Sequence, residues 1–363
     1  MLKKILITIF SLFILTGCCS KNNEEVLTFS SWGSITEVSI LKNIISDFEK
    51  ENPNIKIEFI HIPQNYFQKI HLLFASNTAP DVLFMNNLHL PIYENQLEDL
   101  TSLIQKEDFY PQAITGMSYN SKIYGIPRDI SYLALYVNLN KLPNLKDTWT
   151  IEDLYNHAKV ATNKNTFGIG CEEDIYWTTP YLTYFGGGIL NSKFESIISS
   201  EESQKGLKFY KDLIHKNKLA PTKSQIGSST LAQMFLEEKI AMYLSGRWMY
   251  PKIKEKADFN WAVINFPYGK TEQYCDVSGW VISKNSKQKD NALKFIQFLS
   301  NKKNSKYFTE TGLIVPARIE TSKILDNDKH NEKVFLDIIK NTQNTPVNKN
   351  YKKIVDEINL KNF

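Results

Sequence analysis

The chain has 363 residues, formal net charge +4, 42% hydrophobic and 23% charged residues, which is more than one core usually holds and makes two lobes the default. Only three basic residues are arginines (Arg128, Arg247, Arg318); the other 40 are lysines scattered among acids, as on a solvated face, which excludes a dedicated nucleic-acid surface. Four cysteines, two of them adjacent at 18 and 19, exclude a disulfide scaffold.

The chain opens with Lys3 and Lys4, followed by an apolar core from Ile5 to Leu15 broken only by Thr8 and Ser11. This run is too short to span a bilayer and has the layout of a secretory signal. Its boundary, Leu15-Thr16-Gly17-Cys18, resembles the lipobox of bacterial lipoproteins. That resemblance implies cleavage after residue 17 and an acylated Cys18, with chains such as palmitate holding the protein at the membrane by about 0.8 kcal/mol per buried methylene. Cys19 is a bystander, a second lipid site or a disulfide partner. Cys171 and Cys275 read as small core residues, with a bridge between them left open.

After a polar linker (18–25), "VLTFSSW" reads as a strand, and Ser34 with Glu37 has the spacing of a capping box. Ile40, Leu41, Ile44, Ile45 and Phe48 recur at helical spacing until Asn52-Pro53 stops them. "IKIEFIHI" alternates as a strand, Phe67, Ile70, Leu73 and Phe74 mark a second helix, and "DVLFM" is a short strand. This β-α-β-α-β order predicts a parallel sheet wrapped by helices, with ligands at the carboxyl ends of its strands. Those ends carry Trp32-Gly33, Pro63-Gln64-Asn65-Tyr66 and Asn86-Asn87, aromatic faces and amides with no nucleophile beside a base.

"KIYGIPRDISYLALYVN" (122–138) reads as an extended piece leaving one lobe and entering another. Trp149 precedes a capped helix start at Thr150 and Asp153. "TFGIG" and "DIYWTTPYLTYFGGGIL" follow, then the amphipathic helices "KGLKFYKDLIHKN" and "LAQMFLEEKIA". "AMYLSGRW" is a strand ending in a glycine turn, "FNWAVINFP" and "GLIVPAR" are further extended crossings, and "SGWVISKNS" leads into the helix "KDNALKFIQFLSN".

In this order, "FEKENPNIKIEF", "APDVLFMN", "YGIPRDISYLALYVN", "TWTIEDL", "FLEEKIAMYLSGRW", "INFPYG", "SGWVISKNSKQKDNALKFIQFLS" and "GLIVPAR" resemble the bacterial extracellular solute-binding proteins of the maltose-binding, family 1 type. The resemblance implies an α/β, two-lobed periplasmic-binding-protein-like fold of type II. Each lobe is a sheet flanked by helices, and two or three crossings join them near 126–131, 265–269 and 314–318. It places residues 26–125 and 270–313 in lobe I, and 126–269 and 314–363 in lobe II. Hinge closure on a ligand goes with that fold. It further implies an extracytoplasmic monomer with no cofactor and no metal, tethered beside the transmembrane subunits of an ABC importer. The tail departs from the family, which has a longer helical ending after Pro346, so no contact is carried over to Tyr351.

Candidate ligand contacts follow. Trp32, Trp177, Trp248 and Trp280 sit at strand ends or in glycine-flanked loops, where an indole face can stack on a sugar ring; sealing a lobe interior is the other role open to them. Trp149 and Trp261 read as core. Asn65, Asn86 and Asn87 offer amides, and Ser131 aligns with a polar hinge position flanked by Arg128 and Asp129. Tyr176 and Gly187 match a loop that lets backbone approach the ligand, although glycine there also permits a tight turn. All three arginines fall on crossing or cleft motifs. Arg247, Arg128 and Arg318 would favour an anionic ligand if they converge in the cleft, because arginine grips carboxylate or phosphate bidentately; bracing of the hinge explains them equally well.

A receptor for a sugar or oligosaccharide is therefore the leading expectation, with a glycerol phosphate or other anionic polyol as the alternative. A surface adhesin or sensor using the same fold is a third. A hydrolase is a fourth: the chain has no G-x-S-x-G and no H-E-x-x-H, and its acidic stretch Glu172-Glu173-Asp174 reads as a solvated loop.

Overall fold

The computed structural model describes residues 25–145, 149–326 and 330–363; the expected signal, Cys18, Cys19 and nearly all of the linker lie outside the described residues. The strands are β1 (Glu25–Ser31), β2 (Ile55–His61), β3 (Val82–Asn86), β4 (Ser118–Tyr119), β5 (Lys122–Ile123), β6 (Gly125–Ser131), β7 (Ala134–Asn138), β8 (Phe167–Gly170), β9 (Ile240–Ser245), β10 (Trp261–Asn265), β11 (Gln273–Ile282) and β12 (Thr342–Asn344). One sheet runs β12-β11-β3-β1-β2, with β6 also paired to β11; a second runs β10-β7-β9-β8; β4 and β5 form a hairpin.

In the first sheet β1 lies parallel to both β2 and β3, as the β-α-β-α-β pattern predicts, and β11 closes it antiparallel to β3 and β6. The helix Ile35–Glu51 buries the five expected apolar residues, Ile40, Leu41, Ile44, Ile45 and Phe48, and ends at Asn52. Its capping box is only half made. Ser34 accepts from the Glu37 amide at 3.3 Å, but the Glu37 carboxylate turns away to Arg128. At the helix Ile151–Ala161 the box is complete, with Thr150 and Asp153 capping each other.

The helix Ile175–Phe185 is where structure and sequence reading part. Tyr176 and Trp177 lie in its first turn and not in a loop, because Asp174 caps the helix by accepting from the Tyr176 amide at 2.7 Å. Pro180 sits inside it. Prolines at that depth usually disrupt a helix, which hid this one from pattern reading.

The two sheets are joined where β6 passes through Tyr132 and Leu133 into β7, and again between β10 and β11. A third strand of chain runs alongside the first: Ile130 donates to the Val315 carbonyl at 2.9 Å and Ala317 to the Arg128 carbonyl at 3.0 Å. Residues 342–344, within the segment expected in lobe II, form β12 on the edge of the first sheet. The helix Tyr351–Asn362 packs instead with the Ile175–Phe185 helix through Ile175, Leu182, Tyr351 and Ile358. Cys275 is buried in the core of the first sheet and Cys171 in that of the second, and both are free thiols. Among the described residues no helix is long and apolar enough to cross a membrane.

Candidate ligand-binding cleft

A cavity of about 760 Å³ opens between the sheets, within the size range of small-molecule sites. The first lobe contributes Trp32, Gly33, Ser34 and Glu37 from the carboxyl end of β1, and Pro63 from just beyond β2. The second contributes Trp248, Met249, Lys252 and Glu255, which follow β9. Arg128, Asp129, Ser131, Ser278 and Ile314 close the floor where the crossings run.

The two tryptophans differ. Trp32 is half-buried, held by Tyr66, Phe67 and Phe84 with ring centroids at 6.0, 5.6 and 4.9 Å. Trp248 is 37% exposed and presents open indole surface. Gly33 makes the first wall possible: at φ 137° its backbone lies so close to Glu37 that a Cβ would meet the carboxylate at 2.8 Å.

The floor is an ion network. Arg128 Nε donates to Asp129 at 2.6 Å and Nη1 donates to Glu37, with these side chains 9%, 3% and 13% exposed. The guanidinium lies over the Phe84 and Trp280 rings, 4.8 and 5.4 Å from their centroids. Burial alone would weaken the Arg128 charge, yet Asp129 and Glu37 together push its pKa up, so it stays a cation. Ser131 Oγ donates to Asp129 at 3.3 Å.

Trp32, Arg128, Asp129, Ser131 and Trp248 are thus brought together, and the other sequence candidates are not in this lining. Arg247 is buried, with Nη1 donating to the Thr309 carbonyl at 3.2 Å and to the Ile314 carbonyl, and Nη2 to Glu332 at 2.6 Å, while its buried Nε finds no partner among the described residues. Arg318 pairs with Asp108 at 2.5 Å and donates to the Ser300 carbonyl, outside the cleft. Trp280 has no accessible surface: it packs edge-on against Phe29 and Phe84 in the first core, because β11 is a central strand. Gly187 lies outside this lining; a Cβ there would meet the Ser203 amide at 2.5 Å, so close packing against the helix Glu201–Ile214 requires glycine. Asn65 is exposed at the start of the helix Tyr66–Ala75. Asn86 is buried and accepts from the His89 amide at 3.2 Å.

Asn87 and Tyr176 meet elsewhere, around Asp276. That carboxylate is buried at the start of β11, and its Oδ1 accepts from Thr345 Oγ1 at 2.8 Å and from Asn87 Nδ2 at 3.3 Å. The Tyr176 hydroxyl faces the same carboxylate and favours its charged form. Burial raises the Asp276 pKa against these three donors. Beside it a smaller cavity of about 240 Å³ is lined by His89, Tyr176, Ile189, Tyr351 and Asn359. Trp177 stands edge-on to Tyr176 with centroids at 5.5 Å.

Sequence reading missed Glu37, Lys252, Glu255, Ser278 and Asp276. The spacing from Ser34 to Glu37 explains Glu37 as a cap and so conceals its place in the floor. Asp276 carried a signal, an acid inside the apolar run "YCDVSGWVI", where a charge needs a reason.

Comparison with known proteins agrees with this architecture. The galactooligosaccharide-binding protein of Bacillus subtilis (strain 168) is 26% identical over 318 residues, covering 82% of this chain and 73% of that protein. Maltodextrin-binding protein MdxE of the same organism is 27% identical over 348 residues, covering 87% and 80%. The solved structure of the substrate-binding protein Lmo0181 from Listeria monocytogenes, in complex with cycloalternan, superposes with a TM-score of 0.85 over 93% of this chain and 92% of that one, at 24% identity. Residues 32–306 match the family model described as bacterial extracellular solute-binding protein, and with a cleft of this form between two such sheets the chain belongs to that family.

Proposed function

We propose that the protein is a lipid-anchored receptor of an ABC importer that closes over a neutral sugar or oligosaccharide between its two lobes and hands it to the permease. Residues 26–125 and 270–313 would move largely as one lobe and 126–269 as the other, with Cys18 as the anchor. The observation that carries the ligand class is the pairing of two indoles, Trp32 and Trp248, on opposite walls of a cavity whose arginine is already neutralised. Indole faces stack on the C–H face of a pyranose, and Asp129, Ser131, Ser278 and Glu255 can accept from or donate to its hydroxyls. The lining holds three carboxylates against two cations, which disfavours the anionic-polyol alternative.

The relatives whose names state a saccharide support the class and leave its length open. The reading is tested by a thermal-shift panel of neutral mono- and oligosaccharides beside glycerol phosphate and uronic acids. A ligand at a hundred times its Kd adds about 2.7 kcal/mol. Stabilisation by a neutral sugar is expected; stabilisation by the anions alone would replace this reading with the phosphate one. Labelling with a radioactive fatty acid, lost in Cys18→Ala, tests the anchor.

A further inference from the structure

Arg247 sits where the turn that carries Trp248 meets the third crossing. It follows β9 of the second sheet directly before Trp248, and its side chain is 4% exposed. Its Nη1 reaches the carbonyls of Thr309 and Ile314. Thr309 ends a helix, Lys302–Glu310, that is fastened to the first lobe: Lys303 pairs with Asp47, and Tyr307 accepts from Asn43. Ile314 lies on the third crossing and itself lines the cleft. Nη2 is held by Glu332, beyond that crossing. One guanidinium thus ties the Gly246–Tyr250 turn to first-lobe backbone and to the crossing, in directions that no ammonium reproduces.

We infer that Arg247 is a positioning residue that sets the pose of Trp248 against the opposite wall of the cleft. The tie is internal, so it takes no part in contacting ligand. Its consequence is that Trp248 follows the crossing, and not only its own lobe, as the cleft closes. Glu332 supports this by holding the guanidinium's second edge. The ligand consequence rests on the sugar-binding reading above, whereas the pose of Trp248 does not.

The test therefore has a ligand-free arm. Emission of Trp248 is isolated as the difference between each protein and its Trp248→Phe counterpart, and its acrylamide quenching is followed. Arg247→Met is expected to increase quenching of Trp248 and shift its emission to the red, and Glu332→Gln to do so less. Arg318→Met, which removes another buried-edge arginine outside the cleft, lowers the Tm without moving the Trp248 signal. If Arg247→Met does not fold, Arg247→Lys is read in the same way. An unchanged Trp248 signal in a folded Arg247 variant overturns the inference. In the ligand arm, affinity for maltotriose falls roughly tenfold in Arg247→Met, equivalent to about 1.4 kcal/mol. Wild-type protein that binds no saccharide sinks the sugar reading, while the quenching arm still decides the role of Arg247.

Discussion

The two walls of the cleft are built on different principles. The first-lobe wall is locked: Trp32 is wedged among Tyr66, Phe67 and Phe84, and the floor beside it is cross-braced by Glu37, Arg128 and Asp129. On the second-lobe wall Trp248 stands exposed on a short turn, held by its buried neighbour Arg247. One wall is preorganised by aromatic packing and charge, and preorganisation lowers the ordering cost of binding. The other offers an open indole whose support comes through the backbone of its turn and not through packing of the ring among aromatic neighbours. The same residue type is wedged on one wall and open on the other because its neighbours differ.

The largest effect comes from breaking the lock. Arg128→Met leaves two carboxylates buried side by side without a cation, and unpairing a buried charge costs about 3–5 kcal/mol. Urea denaturation is expected to show that loss in unliganded protein. A loss of only a few tenths would mean that water already screens the network and that this wall is no more rigid than the other.

Next comes the open wall. Trp248→Ala is expected to leave unliganded stability within about 0.5 kcal/mol, as for exposed sites, yet to remove most of the about 2.7 kcal/mol that saturating sugar adds. Trp32→Ala should do both. It loses roughly 2 kcal/mol of unliganded stability, below the about 3–5 kcal/mol of a fully buried aromatic, and it weakens binding as well. Measuring both variants by thermal melts with and without ligand separates the walls directly. Equal unliganded losses would erase the contrast.

Much of this was legible beforehand, and what was not has physical causes. Local patterns identified β1 to β3 and the five buried residues of the first helix, since the period of hydrophobic residues records which face meets a sheet. Trp149 and Trp261 read correctly as core. Side-chain partners of distant origin were out of reach. Glu37 satisfies a capping pattern, but the partner it takes is 91 residues away, so its place in the cleft floor was invisible. The motifs that carry the arginines leave their role open, because only the fold brings Glu332 to Arg247 and Asp108 to Arg318. Trp280 shows the opposite limit. A tryptophan between glycine and valine reads the same on an edge as in the middle of a sheet, and only the strand order places it inside.

The smallest expected effect, and the one that separates burial from mere enclosure, concerns Asp276. Among the described residues no cation faces it: its neighbours are Asn87, Thr345 and Tyr176, with Tyr351 close by. Burial raises its folded pKa above the ordinary 3.8, so the folded chain holds this proton more tightly than the unfolded one. The stability tied to it is complete below the ordinary value and is lost as pH rises through the raised one. Asp276→Asn keeps Oδ1 as acceptor for Thr345 and Asn87, and its amide can donate to the Tyr176 oxygen. The variant should therefore gain on wild type as the pH is taken from about 4 to neutral, read as the difference between two denaturation series. Exposed acids such as Asp47 and Asp99, whose pKa values are lowered by hydrogen-bonding neighbours, favour the fold in the opposite direction of pH, but they are common to both proteins and cancel. Parallel pH profiles would show that the carboxylate ionises as freely as in water. Asn87 and Tyr176 would then meet around a hydrated charge, and the contact they make from the two lobes would be loose enough to open without cost.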